Sequence, residues 1–157
     1  TSATTASGMI EIASGPQLLS SLQEDPSLLG GFIEETIRWE TPVKHFMRTA
    51  TQDIEFGGQK ILKDDYLYVS YPSANRDETV FDDPYRFDPK RTPNKQLAFG
   101  YGAHVCLGQH LARLEMRILW EELLPHLASV CLSGTPTRMA ANFVCGPKSV
   151  PISFKAR

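Results

Sequence analysis

Residues Leu97–Arg117 read LAFGYGAHVCLGQHLARLEMR, and the fold and chemistry of the whole chain turn on this stretch. Gly100, Gly102 and Gly108 frame His104 and Cys106, and apolar residues at helical spacing follow. Glycine lets a backbone approach a partner closely, without a Cβ in the way. A thiol at the start of a helix sits where the dipole and the unpaired N–H groups lower its pKa and favour thiolate. The expected donors to that sulfur are the amides of Leu107, Gly108 and Gln109. Gly100 and Gly102 would let the loop lie flat against a large planar ligand, and His104 could donate to an anionic group at the ligand's edge. The plainer alternative is a buried cysteine in a glycine-rich turn, with His104 at the surface. That alternative gives the glycine spacing no cause.

The rest of the sequence narrows the class. A chain of 157 residues, 41% hydrophobic and 22% charged, is long enough for one core of ordinary composition. A net charge of −2 implies no general attraction to nucleic acid or membrane. No apolar run approaches the ~18 residues that span a bilayer, so no membrane anchor is expected. Three cysteines (Cys106, Cys131, Cys145) without CxxC spacing argue against a disulfide framework or zinc knuckle and for a reducing, cytoplasmic setting. Cys131 and Cys145 read as buried or inert thiols. The opening TSATTASGMIEIAS reads as a helix already under way, as in a truncated chain.

Helical and extended segments alternate unevenly. The first helix should end near Gly15-Pro16, and Pro16 suits the first turn of a second. In DPSLLGGFIEETIRW, Leu28, Leu29, Phe32, Ile33 and Ile37 recur at helical spacing up to Pro42. Gly57-Gly58 between IEF and QKI signals a hairpin, and YLYVSY has strand composition. From Asn75 to Leu97, aspartates and prolines indicate an irregular segment, with room for one short helical turn. A structureless stretch of more than ~15 residues inside a domain is usually functional. A long helix, LGQHLARLEMRILWEELL, follows with Leu107, Leu111, Leu114 and Ile118 on one face. Strand-like SVCL and VPISF close the chain.

Phe99, Gly100, Gly102, His104, Cys106 and Gly108 spell F-G-x-G-x-H-x-C-x-G, a pattern expected by chance on the order of once in 10⁷ windows or less. It resembles the haem-binding signature of cytochrome P-450 monooxygenases. The resemblance implies that Cys106 is the axial thiolate ligand of haem iron, pushing electron density that favours O–O cleavage. Glu35 and Arg38 resemble the family's E-x-x-R helix, and FDPKR falls where the family has P-E-R-F, with Lys90 and Thr92 departing from that consensus. Arg91 would complete a buried Glu35–Arg38–Arg91 network under the haem, with Arg86 as the rival candidate.

The resemblance also implies that Arg48 reaches a haem propionate, with His104 as the second contact. Val43, Phe46, Phe143 and Val144 would line a substrate pocket, while Lys44 and His45 should lean outward. Arg113 and Arg117 would face an acidic electron donor. TPVKHFMRTA, SYPSANRDE, CLGQHLARLEM and NFVCGPKSVPI resemble the soluble bacterial, terpineol-hydroxylating members, which act on small apolar molecules and draw electrons from a ferredoxin. The implied fold is mainly α with minor β: residues 1–157 as the carboxyl-terminal part of a single cytochrome P-450 domain whose larger amino-terminal part is missing. The acid–alcohol pair of the central helix would then lie just upstream, so no catalytic residue is expected here, and Thr1, Thr4 and Thr5 carry no proton-delivery role. A haem-thiolate sensor or haem carrier without oxygenase activity remains an alternative, as does a small α+β binding domain with no cofactor.

Overall fold

The computed structural model describes residues 1–157. Three helices come first: α1 (Ser2–Ser14), α2 (Pro16–Glu24) and α3 (Leu28–Glu40). Pro16 occupies the first turn of α2, where its missing N–H costs nothing. Thr41 ends α3 in the left-handed region at φ 42°, and its hydroxyl donates to the Arg38 carbonyl. Lys44 Nζ donates to the carbonyls of Glu40 and Thr41, both at 2.8 Å, so its cation lies against the negative end of α3.

Strand β1 (His45–Thr49) then pairs antiparallel with β4 (Tyr66–Ser70), setting Arg48 opposite Leu67. Between them, β2 (Ile54–Phe56) and β3 (Gln59–Ile61) form the expected hairpin. Gly57 and Gly58, at φ 59° and 74°, supply the two positive-φ residues that a tight two-residue turn requires. The helical turn comes earlier than expected, as α4 (Tyr71–Ala74), and the chain from Asn75 to Leu97 holds only turns and bends. After a 3-10 turn at Gly102–His104, helix α5 runs from Gln109 to Leu123. Strand β5 (Leu127–Leu132) pairs antiparallel with β8 (Ile152–Ala156), and short β6 (Thr137–Arg138) pairs with β7 (Pro147–Ser149).

The helices carry most of the core, with Leu127 and Val130 added by β5, so the architecture is mainly α with minor β. Ile12, Leu22, Phe32, Ile37, Met116 and Trp120 form its centre. Phe32 meets Trp120 edge-on at 5.5 Å and Phe87 at 6.0 Å, tying α3 to α5 and to the irregular segment. The face of α5 that buries is Met116 and Trp120, continued by Leu124, whereas Leu107, Leu111, Leu114 and Ile118 point outward. The Trp120 ring packs against Phe32, which fixes the helix's rotation and turns the leucine stripe away. Cys131 is exposed on β5 rather than buried, and Cys145 is half-buried. No helix is long and apolar enough to cross a membrane.

Candidate functional site

Glu35 and Arg38 stand one turn apart on α3, and both side chains are fully buried. Arg38 donates from Nε and Nη2 to the two carboxylate oxygens of Glu35, each at 2.7 Å. Its remaining N–H groups reach the carbonyls of Asn75, Pro84 and Arg86. Arg91 Nε donates to both oxygens of Glu35 at 3.2 Å, while its other nitrogens take the carbonyls of Asp82, Asp83 and Arg86. Arg91 is therefore the third member of the network, and Arg86 contributes only its carbonyl. Burial opposes the charge on Glu35, but the hydrogen bonds from Arg38 and the Asp88 amide, with the Arg38 and Arg91 charges, outweigh it. They hold the carboxyl below the ordinary glutamate range.

Asn75 is a further member that no sequence signal had marked. Fully buried, it donates from Nδ2 to Thr41 Oγ1 at 2.8 Å and accepts the Leu97 N–H on Oδ1 at 2.7 Å. It thereby joins the end of α3 to the strand of chain that enters the cysteine loop. Asn94, which donates to Glu35 Oε2 at 3.0 Å, was likewise unmarked. Both hide because their partners lie tens of residues away in sequence.

The loop itself is held by main-chain bonds. Cys106 N–H donates to the Phe99 carbonyl at 2.8 Å, and Gly100 N–H to Leu97 at 2.8 Å. Gly100 and Gly102 sit at φ 75° and 76°. A Cβ on Gly100 would meet the Tyr71 hydroxyl at 3.3 Å, whereas one on Gly102 would meet nothing within 4 Å. Both glycines thus answer a backbone requirement, since φ near 75° is a conformation that L side chains rarely adopt. The expected sulfur donors also change. Gln109 N–H bonds the Cys106 carbonyl, and Gly108 serves as N-cap of α5, leaving the Leu107 and Gly108 amides free beside the thiol.

Cys106 opens onto a cavity of about 640 Å³. Its wall is mostly apolar, with Ile37, Pro42, Val43, Phe46, Ala98 and Met116. Phe99, His104 and Arg48 also line it, as do Thr1, Thr4 and the Tyr71 ring. Six sequence-marked positions therefore converge: Cys106, Phe99, His104, Arg48, Val43 and Phe46. Phe143 and Val144 do not reach the wall. Phe143 meets Phe46 edge-on at 5.5 Å, and Val144 pairs with Val43 through a single β-bridge. Lys44 turns back onto α3, as described. His45 likewise stays out of the cavity wall, as expected, its ring stacking on Tyr68 at 4.5 Å and meeting Phe143 at 5.6 Å.

Arg117 is exposed and pairs along α5 with Glu121 at 2.7 Å. Arg113 pairs across elements with Glu34 and is about one third exposed.

The family profile described as cytochrome P-450 matches residues 20–154. Cytochrome P-450-terp from a Pseudomonas species is 53% identical over 154 residues, covering 98% of this chain and 36% of that protein. Steroid C26-monooxygenase of Mycobacterium tuberculosis is 47% identical over 137 residues, covering 85% of this chain and 37% of that protein. Among solved structures, CYP108D1 from Novosphingobium aromaticivorans superposes with a TM-score of 0.96 at 49% identity, over 99% of this chain and 38% of that one. The chain spans little more than a third of the length of these relatives.

Proposed function

Because the chain belongs to the cytochrome P-450 family, whose members hold haem through a cysteine thiolate, we propose that residues 1–157 form the carboxyl-terminal part of a monooxygenase. In this reading Cys106 is the thiolate ligand. The donor set suits haem: one thiol, an imidazole and a guanidinium stand around a mostly apolar cavity. His104 and Arg48 would meet the anionic edge groups, and the Phe99 carbonyl keeps the Cys106 backbone in place. When bound, the group supplies activation of O₂, one atom entering a C–H bond and the other leaving as water with two electrons and two protons consumed.

This chain's residues do the holding. Ile37, Ala98 and Met116 give the wall beside the thiol its apolar character; with haem seated on it, that wall would keep water from the sulfur and strengthen the pull of Arg48 and His104 on the anionic edge groups. Val43 and Phe46 form the part of the wall that a small apolar substrate would touch. A terpenoid is the proposed substrate, supported by the likeness to cytochrome P-450-terp and by the apolar character of Val43 and Phe46. The proposed electron donor is a ferredoxin-type iron–sulfur protein, and the proposed setting is the cytoplasm.

The observation that carries this reading is the convergence of Cys106, His104 and Arg48 on one apolar cavity. The test uses the longer protein that contains these residues. Its reduced CO-difference spectrum is recorded, and product from a monoterpene alcohol under ¹⁸O₂ with a ferredoxin system is weighed by mass spectrometry. A thiolate-type band with one ¹⁸O per product molecule is the expected outcome. A thiolate band with no oxygenated product from any apolar compound tried would favour a sensor or carrier. No haem at all would remove the reading.

A further inference from the structure

Arg113 stands seven residues after Cys106 on α5, and four observations account for its guanidinium. Nε and Nη2 donate to the two oxygens of Glu34, the latter at 3.0 Å. Nη1 donates to Gln109 Oε1 at 3.0 Å. The guanidinium carbon lies 4.7 Å from the centre of the Phe99 ring. Phe99 in turn lines the cavity beside Cys106 and accepts the Cys106 N–H on its carbonyl at 2.8 Å. A line of contacts therefore runs Glu34–Arg113–Phe99–Cys106. It is separate from the Glu35 network, which ends in the irregular segment. Two adjacent carboxylates of α3 thus hold different parts of the chain, Glu35 the irregular segment and Glu34 the side chains of Gln96 and Arg113 on either side of the cysteine loop.

We propose that Arg113 is a positioning residue for Cys106. Anchored by Glu34, its flat guanidinium covers the Phe99 ring and so holds the carbonyl that fixes the cysteine backbone. The residue type matters. A guanidinium can meet both oxygens of one carboxylate while lying over an aromatic face, and an ammonium cannot do both. Arg117 offers the contrast, since it pairs only with Glu121 on its own helix and touches neither Phe99 nor the loop. The spectroscopic part of the inference rests on the haem-thiolate reading; the backbone part does not.

The experiment compares Arg113→Lys, Arg113→Gln, Glu34→Gln and Arg117→Gln in the full-length protein. Hydrogen exchange is followed on peptides spanning residues 99–106, together with the reduced CO-difference band and the KM for the electron donor. Both Arg113 variants should speed exchange at the Cys106 amide about tenfold, the scale of one lost charge-assisted contact. Both should also move part of the CO band away from the thiolate position, with the donor's KM unchanged. Glu34→Gln keeps one acceptor oxygen but loses the charge and the second acceptor, and should fall between, and Arg117→Gln should leave exchange and spectrum as in the parent. Unchanged exchange in Arg113→Lys, which keeps the charge and most of the stem, overturns the proposal even if Arg113→Gln fails to fold. A rise in the donor's KM with parental exchange and spectrum overturns it in favour of partner docking. If the parent itself shows no thiolate band, the haem reading fails, while the exchange comparison still decides the role of Arg113.

Discussion

Glu35 accepts hydrogen bonds from Arg38, Arg91, Asn94 and the Asp88 amide, all inside the fold. Removing its charge by Glu35→Gln should destabilise the protein by about 3–5 kcal/mol, because two buried guanidinium groups lose their counter-ion. Denaturant titration of the full-length protein measures it. The pH dependence has a definite sign. Since the folded carboxyl titrates below the ordinary glutamate value, its stabilisation is complete above that ordinary value and is lost as pH falls through the lowered one. Glu35→Gln should therefore flatten the acid limb of the stability profile. Asn75→Ala should cost about 1–3 kcal/mol for each buried group it leaves unpaired, the Leu97 N–H foremost. Spacing three apart showed that Glu35 and Arg38 share a helix face and can pair, but only the family resemblance marked the pair as a buried network. Arg91 was legible only through family resemblance. Asn75 was not legible at all, because its partners stand 22 and 34 residues away and a lone asparagine carries no periodic signal.

The elements must approach one another closely for this network to close. Helix α3 meets the irregular segment at Gly31, where a Cβ would run into the Pro89 carbonyl oxygen. Its neighbour Gly30 has nothing within 4 Å of the same hypothetical atom. Gly31→Ala should therefore cost about 1–3 kcal/mol by forcing the two apart. Gly30→Ala should instead be neutral or gain up to ~1 kcal/mol of helix propensity. Paired thermal melts separate the two. The boundaries of α1 to α3, the hairpin and β4 were readable from proline, glycine and apolar spacing, since those signals act locally. The rotation of α5 was not. Its leucine stripe and its Met116–Trp120 line are both apolar at helical spacing, and only the packing of Trp120 against Phe32 chooses between them.

Across the whole molecule, the chain lines an open cavity and spans little more than a third of its relatives' length. The outward leucines of α5, with Leu107 almost wholly exposed, leave apolar surface in water. At ~25 cal/mol per Å² such surface is a strong drive to associate. Residues 1–157 expressed alone should therefore self-associate and retain haem weakly, which light scattering and a reconstitution titration would show. A stable monomer with a full thiolate band would be the contrary result. The central claim is that the Cys106 sulfur is the ligand of the iron. It is tested most directly by recording the reduced CO-difference spectrum of the full-length protein and of its Cys106→Ser variant side by side. Loss of the thiolate-type band in the variant, with the parent showing it, is the predicted result; an identical band in both would contradict it.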